Sequence, residues 1–423
     1  MEQRKEYAIL VGVQLPGAPN FTGAMEELAG LADACDILVA GRIEQKAERV
    51  NSALYMGSGK IKELAALMKE TEATVAIFND ELSPSQIRNL EKELDTRVMD
   101  RTILILDIFA SRAQTREAKL QVEVARLQYM LPRLVGLRES LDRQGGGGGG
   151  GLKNRGSGET RLELDRRRIE DRIAALQEDL EKLVSRRQVQ RQQRRKNEMP
   201  VVCLVGYTNA GKSSVMNAIL KRYNPGAGKE VLEKNMLFAT LETSVRNIEL
   251  PDRRSFLLAD TVGFVSRLPH HLVKAFRSTL EEVAEADLLL HVVDLADPER
   301  ERQIEVTRET LEALGAGHVP TLRVYNKADL ADVAYPHVDE DGITLSARES
   351  DGIEQLIGLI GERIFRDYVS CEILIPFAQG RLVAYFNEHA RVDETTHEEN
   401  GTRLKLTCRA ADYDKYAREF VTV

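Results

Sequence analysis

Short apolar runs and amphipathic stretches alternate along the N-terminal part of the chain. The apolar runs are Ala8–Val13, Ile37–Ala40 and Val75–Phe78, and the amphipathic stretches surround Met25–Leu28, run from about Lys60 to Lys69, and begin at Ser83-Pro84. Strands that alternate with helices are typical of a parallel sheet covered by helices. The pattern predicts a small parallel α/β domain over residues 1–101.

A helical period replaces this alternation from about Thr102. Apolar residues recur at steps of three and four positions in two series, with one longer gap in the second. The first series is Leu120, Val124, Leu127, Leu131 and Leu134; the second is Leu162, Ile169, Ile173, Leu176, Leu180 and Leu183. Because such seams bury one helix face against another, we predict a long antiparallel helical hairpin over residues 102–198.

Residues 144–158, between the two series, form a glycine-rich tip with glycine at every position from Gly145 to Gly151. Ordering polyglycine costs much backbone entropy, so we expect the tip to move until a partner binds it. The basic residues around it include Arg138, Arg143, Lys153, Arg155 and Arg161. They form either a solvated face neutralised by nearby acids or a site for RNA phosphates. Glycine backbone flanked by arginines favours folded RNA.

A third region, residues 199–367, contains apolar strands that each end in a polar or glycine-rich stretch. It predicts a domain with a mixed, mostly parallel sheet. Residues 370–423 predict a compact β-α-β-β-α unit without a cluster of catalytic side chains, so docking is its expected role. The predicted fold class is therefore a multidomain α/β protein with a small C-terminal α+β domain.

The apolar run Val201–Val205 leads directly into a G-x-x-x-x-G-K-[ST] phosphate loop. The predicted phosphate-binding residues are Gly206, Tyr207, Thr208, Asn209, Ala210, Gly211, Lys212, Ser213 and Ser214. A helix that begins here points its N–H groups and its positive dipole end at an anion. Lys212 is expected to reach the outer phosphates, and the Ser213 hydroxyl to bind Mg²⁺.

Motifs at the ends of three further strands indicate which nucleotide is bound. Asp260 is expected to bind Mg²⁺ through water, while the Gly263 N–H meets the last phosphate. The other two stretches supply Asn326, Lys327 and Asp329, and then Ser346, Ala347 and Arg348. A carboxylate at position 329 can accept both N–H groups of a guanine edge, a donor pair that adenine lacks. The order of these motifs predicts a GTPase.

Two features bear on hydrolysis. Phe238, Ala239 and Thr240 lie where a GTPase closes a threonine on magnesium; Thr240 is the expected ligand, with Thr243 as the alternative. Phe264 stands where many GTPases carry a water-orienting Gln, so turnover should be slow without a partner. Asn209 either binds a K⁺ ion between the phosphates or stabilises the turn.

Bulk composition excludes several classes of protein. A net charge of -8 and a pI near 5.6 argue against a general nucleic-acid coat. Cys35, Cys203, Cys371 and Cys408 lack paired or metal-type spacing and are expected to be reduced thiols. Without an apolar signal segment or a membrane-length run, a cytoplasmic protein with no membrane insertion is expected.

Together these residues resemble the HflX family of ribosome-associated GTPases. The resemblance rests on Tyr55–Lys60, the loop ending Arg155–Thr160, Leu237–Leu241, Asp260–Phe264 and Leu268–Val273. It implies a protein that binds rRNA of the large ribosomal subunit and splits ribosomes. The expected ligands are GTP and GDP, the expected ions are Mg²⁺ and K⁺, and the protein is expected to be a monomer whose hydrolysis is stimulated by ribosomes. Asn209 matches the asparagine of potassium-dependent relatives.

The alternative hypothesis is an RNA-binding assembly factor in which GTP only gates docking. This chain also departs from the family pattern: Glu242-Thr243-Ser244 replaces Asp-Pro-Thr, the glycine loop is longer, and Arg348 stands where Lys is common.

Overall fold

The computed structural model describes residues 6–17, 20–144, 161–196, 199–224, 238, 243–252, 254–266 and 282–420, with backbone alone at 134–144, 161–162, 184–196, 417 and 419. The chain divides into two compact units. The first comprises residues 1–193, 234–242 and 262–280, and the second comprises residues 194–233, 243–261 and 281–423.

The first unit contains a four-stranded parallel sheet with the order β2-β1-β3-β4. Its strands are β1 (Glu6–Gln14), β2 (Ile37–Lys46), β3 (Val75–Phe78) and β4 (Arg97–Asp100). The helices are α1 (Phe21–Ala34), α2 (Ser58–Glu70), α3 (Pro84–Leu94) and α4 (Arg101–Arg112). The predicted parallel α/β domain is confirmed.

The two central strands, β1 and β3, are buried on both faces, which explains why they are continuous apolar runs. Ala8 and Leu10 of β1 face one core, while Ile9 and Val11 face the other, because successive strand residues point to opposite sides. Helices α1 and α4 cover the first core, and α2 and α3 cover the second. Helix α4 begins at the predicted boundary and packs into the N-terminal core.

Two long helices, α5 (Arg116–Gln144) and α6 (Arg161–Lys196), complete the first unit. Val124, Ile173 and Leu176 are buried between them, with Leu120, Leu127, Leu131, Ile169 and Leu180 packed around these three. The ion pairs Arg116–Asp179 at 3.2 Å and Glu123–Arg172 at 2.8 Å step seven residues in opposite directions along the helices. The seam is therefore antiparallel, as predicted.

The second unit contains a seven-stranded sheet with the order β10-β11-β9-β8-β5-β7-β6. The strands are β5 (Val201–Val205), β6 (Ser244–Glu249), β7 (Ser255–Asp260), β8 (Leu288–Asp294), β9 (Thr321–Asn326), β10 (His337–Val338) and β11 (Gly342–Thr344). Only the outer pairs β6–β7 and β10–β11 are antiparallel among the described strands. Among the residues that the structure describes, the helices that pack with this sheet are α7 (Lys212–Tyr223), α8 (Arg300–Ala313) and α9 (Ile353–Ile364). A mixed, mostly parallel sheet is confirmed.

A small antiparallel sheet follows in the same unit, with the order β12-β14-β13. It consists of β12 (Tyr368–Ile375), β13 (Arg391–Glu398) and β14 (Gly401–Arg409), with α10 (Gly380–His389) between β12 and β13. The final helical stretch, predicted as one helix, divides into α11 (Ala410–Asp412), a π turn (Tyr413–Ala417) and a 3₁₀ turn (Arg418–Phe420). Across the described residues, no helix combines the length and apolarity needed to cross a bilayer.

Candidate nucleotide site

The phosphate loop connects β5 to α7 in the second unit, and two of its glycines are required by close approach. Gly206 has φ 141°, and a Cβ there would lie 2.2 Å from the carbonyl oxygen of Val292. Gly211 has φ 92°, and its Cβ would lie 2.1 Å from Nδ2 of Asn326. Only glycine fits both positions, so the loop curls tightly before the N-terminus of α7.

Lys212 is the first residue of α7, and its side chain folds back over the loop. Its Nζ donates hydrogen bonds to the carbonyl oxygens of Gly206 at 3.0 Å and Tyr207 at 2.8 Å. Burial lowers the pKa of Lys212 to about 8, although the charge of Asp260 acts in the opposite direction. An ammonium with little solvent gains much from a phosphate oxygen, so the site is electrostatically suited to an anion.

Ser213 and Asp260 bring two oxygen groups together beside Lys212. The Ser213 hydroxyl donates to Oδ2 of Asp260 at 2.6 Å, and the Thr261 hydroxyl donates to the carbonyl of Leu204 at 2.6 Å. The second bond fixes the end of β7 against β5. A hydroxyl and a carboxylate are the hard donors that Mg²⁺ prefers, so these residues fit the predicted ion. Mg²⁺ would neutralise charge on the nucleotide phosphates.

Asn326, predicted to contact the nucleotide, uses its amide within the protein. Its Nδ2 donates to the carbonyl of Ala210 at 3.0 Å, and its Oδ1 accepts from the N–H of Ala347 at 3.0 Å. The side chain is 2% exposed. Asn326 therefore joins the phosphate loop to the segment that begins at Ser346, a bracing role that the sequence did not indicate.

Two acidic residues, Asp329 and Asp294, organise the end of the site that is predicted to bind the base. Oδ1 of Asp329 accepts a hydrogen bond from the Ser346 hydroxyl at 2.8 Å, so both predicted guanine motifs meet at this carboxylate. Lys327 has φ 63°, and its Nζ lies 2.6 Å from Oδ2 of Asp294. Sequence analysis missed Asp294; the signal was an acid at the end of the apolar strand β8.

The remaining residues predicted for the site differ in their exposure and in whether the structure describes them. Thr208 is buried and Ser214 half-buried, whereas Asn209, with φ 62°, and Arg348 are exposed. Gly263 and Phe238 belong to the first unit, and both are buried. Ala239, Thr240, Gly145, Gly151, Lys153 and Arg155 lie outside the described residues, as do the side chains of Arg138, Arg143 and Arg161.

Phe238 and Phe264 belong to the first unit, and both are buried. Phe238 is 2% exposed and packs edge-to-face on Phe109, with ring centroids 4.7 Å apart. Phe264 is also 2% exposed. A phenyl ring cannot hold a water molecule by hydrogen bonding, and the slow turnover expected from the missing Gln stays a prediction.

The chain matches four protein families in succession. Residues 22–110 match GTP-binding GTPase N-terminal, and residues 112–194 match GTP-binding GTPase Middle Region. Residues 201–327 match 50S ribosome-binding GTPase, and residues 334–420 match HflX C-terminal domain.

Curated relatives match over nearly the whole length. GTPase HflX of Caldanaerobacter subterraneus subsp. tengcongensis is 44% identical over 406 residues, which cover 96% of this chain and 92% of that one. GTPase HflX of Escherichia coli is 40% identical and covers 98% of this chain and 96% of its own. A solved structure of a GTP-binding protein from Sulfolobus solfataricus in complex with GDP is similar over 85% of this chain and 99% of that chain, at 24% identity and a TM-score of 0.44.

Proposed function

This chain belongs to the HflX family of GTPases, and from that premise we propose that it binds the large ribosomal subunit and dissociates stalled or idle ribosomes into subunits. Hydrolysis of GTP is its reaction, and Mg²⁺ is the ion that GTPases of this kind use with the nucleotide. We propose three further properties: the protein splits ribosomes, it binds a potassium ion, and it contacts RNA. Its place of action is the cytoplasm, where ribosomes are found.

One combination of features carries the proposal. A domain that matches 50S ribosome-binding GTPase is joined in one chain to a long helical hairpin whose tip sequence is rich in glycine and arginine. A glycine backbone, which carries no side chains, fits crowded pockets of folded RNA. Guanidinium groups make bidentate hydrogen bonds to phosphates. The expected contacts are rRNA of the large subunit with the tip residues 144–158.

Charge placement is the basis of the proposed hydrolysis. Lys212 neutralises the outer phosphates, Ser213 binds Mg²⁺ directly, and Asp260 binds it through water. Thr240 closes over the ion, and the Gly263 N–H binds the γ-phosphate. Because Phe264 offers no hydrogen bond to water, turnover is slow until the ribosome orders the site.

Potassium is proposed to supply part of the positive charge through Asn209. The side chain is exposed in the loop beside Lys212, so it is available to an ion between the phosphates. Hydrolysis by the wild type should be faster in KCl than in NaCl, and Asn209→Ala should abolish that difference. Equal stimulation by potassium in the variant would show that Asn209 only stabilises the turn.

The proposed splitting activity is tested by light scattering of intact ribosomes mixed with the protein and GTP. A fall in scattering is expected, because subunits have less mass than the intact particle. Shortening Gly145–Gly151 to a pair of glycines should spare nucleotide binding and abolish the fall.

The same experiment addresses the alternative function. An assembly factor gated by GTP would bind free large subunits but leave the scattering of intact ribosomes unchanged. That outcome would replace splitting by assembly as the proposed role.

A further inference from the structure

Cys371 and Cys408 lie on neighbouring strands of the small antiparallel sheet, and their side chains point to the same side of it. Cys371 of β12 is directly opposite Leu406 of β14, and Cys408 lies two positions further along β14. Residues two apart on a strand point to one face of a sheet, so Leu406 and Cys408 share the face of Cys371. The two cysteines are therefore diagonal neighbours, although they are far apart in sequence.

The two thiols meet at the margin of the C-terminal core. Cys408 is 1% exposed and lies in the core with Phe386 of α10, whereas Cys371 is half-buried and packs against that core. The Cys408 thiol donates a hydrogen bond to the Cys371 sulfur, which lowers the pKa of Cys371. The same hydrogen bond, and then burial, raise the pKa of Cys408. A partly accessible sulfur that forms a thiolate more readily thus lies beside a buried thiol.

The other two cysteines have different surroundings. Sγ of Cys35 donates to the carbonyl of Leu104 at 3.6 Å, and Sγ of Cys203 donates to the carbonyl of Glu282 at 3.5 Å. Burial raises the pKa of Cys35 to about 12 and also raises the pKa of Cys203. The thiolate is the reactive form of cysteine, so both are poor nucleophiles. Cys35 is half-buried, as Cys371 is, so exposure alone does not distinguish these two residues.

The position of β12 in the sheet allows a bond between the two sulfurs. Diagonal Cα atoms of an antiparallel pair lie about 7–8 Å apart, and a disulfide usually spans up to about 7 Å. Among the described strands β12 pairs with β14 alone, because it is an edge strand in the order β12-β14-β13. It can shift toward β14 without breaking a second set of hydrogen bonds. A bridge formed in this way is strained, and strained disulfides are reduced more easily.

We propose that Cys371 and Cys408 form a site of reversible oxidation by hydrogen peroxide. The Cys371 thiolate attacks one peroxide oxygen, the O–O bond breaks, and hydroxide leaves, so that Cys371 becomes a sulfenic acid. The Cys408 sulfur then attacks the Cys371 sulfur, an S–S bond forms, and the S–O bond breaks. The displaced hydroxyl group takes the Cys408 proton and leaves as water. Two thiols are thus oxidised to one disulfide while one peroxide is reduced to two waters.

This inference goes beyond the proposed function and depends on neither GTP hydrolysis nor ribosome binding. Its physical consequence is protection of Cys371. A sulfenic acid without a neighbouring thiol is oxidised further to a sulfinic acid, which thiols do not reduce. A disulfide between β12 and β14 stops the oxidation at a stage that a dithiol can reverse.

The first test counts thiols in the reduced full chain after treatment with limiting hydrogen peroxide and unfolding. The count in the wild type should fall from four to two and return to four with dithiothreitol. Cys35→Ala is the matched control, because it removes the other half-buried cysteine; its count should fall from three to one. The count in Cys371→Ala should stay at three. Peptide mapping without reduction should find residues 371 and 408 joined.

A wild-type count that stays at four, or a disulfide that joins other cysteines, would overturn the proposal. This measurement needs no substitution, so it does not depend on the folding of a variant. Cys408→Ala adds a test of the order of steps. Dimedone should label Cys371 in this variant after peroxide treatment, and excess peroxide should convert it to a sulfinic acid. If Cys371 remains a thiol there, it is not the residue that peroxide attacks, and the proposed site is wrong.

Discussion

The Ser213 hydroxyl and the Asp260 carboxylate lie 2.6 Å apart, joined by a hydrogen bond between the first turn of α7 and the end of β7. The two residues are 47 positions apart in sequence. They arrive at the same point because β5 and β7 are parallel neighbours whose carboxyl ends share one edge. The oxygen groups that we propose for Mg²⁺ are therefore placed by the sheet, and not by a local sequence motif alone.

Ser213→Ala should weaken the use of Mg²⁺ because it removes a direct oxygen ligand. Hydrolysis at limiting Mg²⁺ should fall by more than about tenfold, which corresponds to about 1.4 kcal/mol. The measurement is the hydrolysis rate as a function of Mg²⁺ concentration. Ser214→Ala, at the next position of α7, is the control and should keep the wild-type curve. Matching curves for the two variants would remove Ser213 from the ion site.

Nucleotide binding should take up protons because the pKa of Lys212 is lowered to about 8 by burial and rises when a phosphate binds. At a pH equal to that pKa, about half a proton should enter per nucleotide bound. Above it, affinity should fall with rising pH, since Lys212 must first be protonated. Calorimetry in buffers of different ionisation enthalpy measures the uptake. Zero uptake near this pH would contradict the assignment.

Asp329→Asn should change which base is bound. The carboxylate accepts the two N–H groups of guanine, whereas a carboxamide offers one acceptor and one donor. We expect GTP affinity to fall at least about a hundredfold, because a site built for hydrogen bonds discriminates strongly. Binding of xanthosine triphosphate, which carries an acceptor at the altered position, should increase. Competition between the two nucleotides measures the switch, and a variant that still prefers GTP would refute the role.

Phe264→Gln should not restore fast hydrolysis, even though it recreates a common GTPase residue. Phe264 is 2% exposed, so a Gln amide at this position would be buried. Burial of an unpaired amide costs about 1–3 kcal/mol on mutational scales, so reduced stability is expected. Single-turnover hydrolysis and thermal unfolding of the variant check this. Faster turnover would show that the segment can present residue 264 to the nucleotide.

His291 should reduce stability as the pH falls. Burial, then the charges of Arg323 and Lys212, lower its pKa from 6.5 to about 4. The unfolded chain therefore binds a proton between these values while the native protein does not. Stability is fully present above pH 6.5 and is lost toward pH 4, by about 3 kcal/mol. Hydrogen exchange of β8 amides in wild type and His291→Gln measures this, and parallel pH profiles would contradict it.

Local patterns predicted the strands and most of the site. The structure of the run Val201–Val205 and of the phosphate loop is determined by residues that are close in sequence. The same holds for the spaced leucines of the hairpin. No local sequence pattern predicts the bracing role of Asn326 or the pairing of Lys327 with Asp294. Both depend on neighbouring strands that are distant in sequence.

The contact between Arg101 and Ser266 in the first unit shows the same limit more strongly. Arg101 and Ser266 are 165 positions apart, and neither belongs to a recognisable motif. An arginine after a strand is usually a solvated residue, so only the packed structure separates this one from its exposed neighbours. Helix α4 was likewise assigned to the hairpin by its period, although it packs against the sheet.

The register of the helical hairpin also fixes its reach. Helix α5 has 29 residues, so at about 1.5 Å per residue it extends about 43 Å. A seam that repeats every seven residues stays aligned only if both helices lengthen or shorten by that repeat, about 10 Å at a time. Any other insertion turns the apolar stripe toward water. Insertions or deletions that keep the two helices packed can therefore change the length of α5 only in steps of about 10 Å.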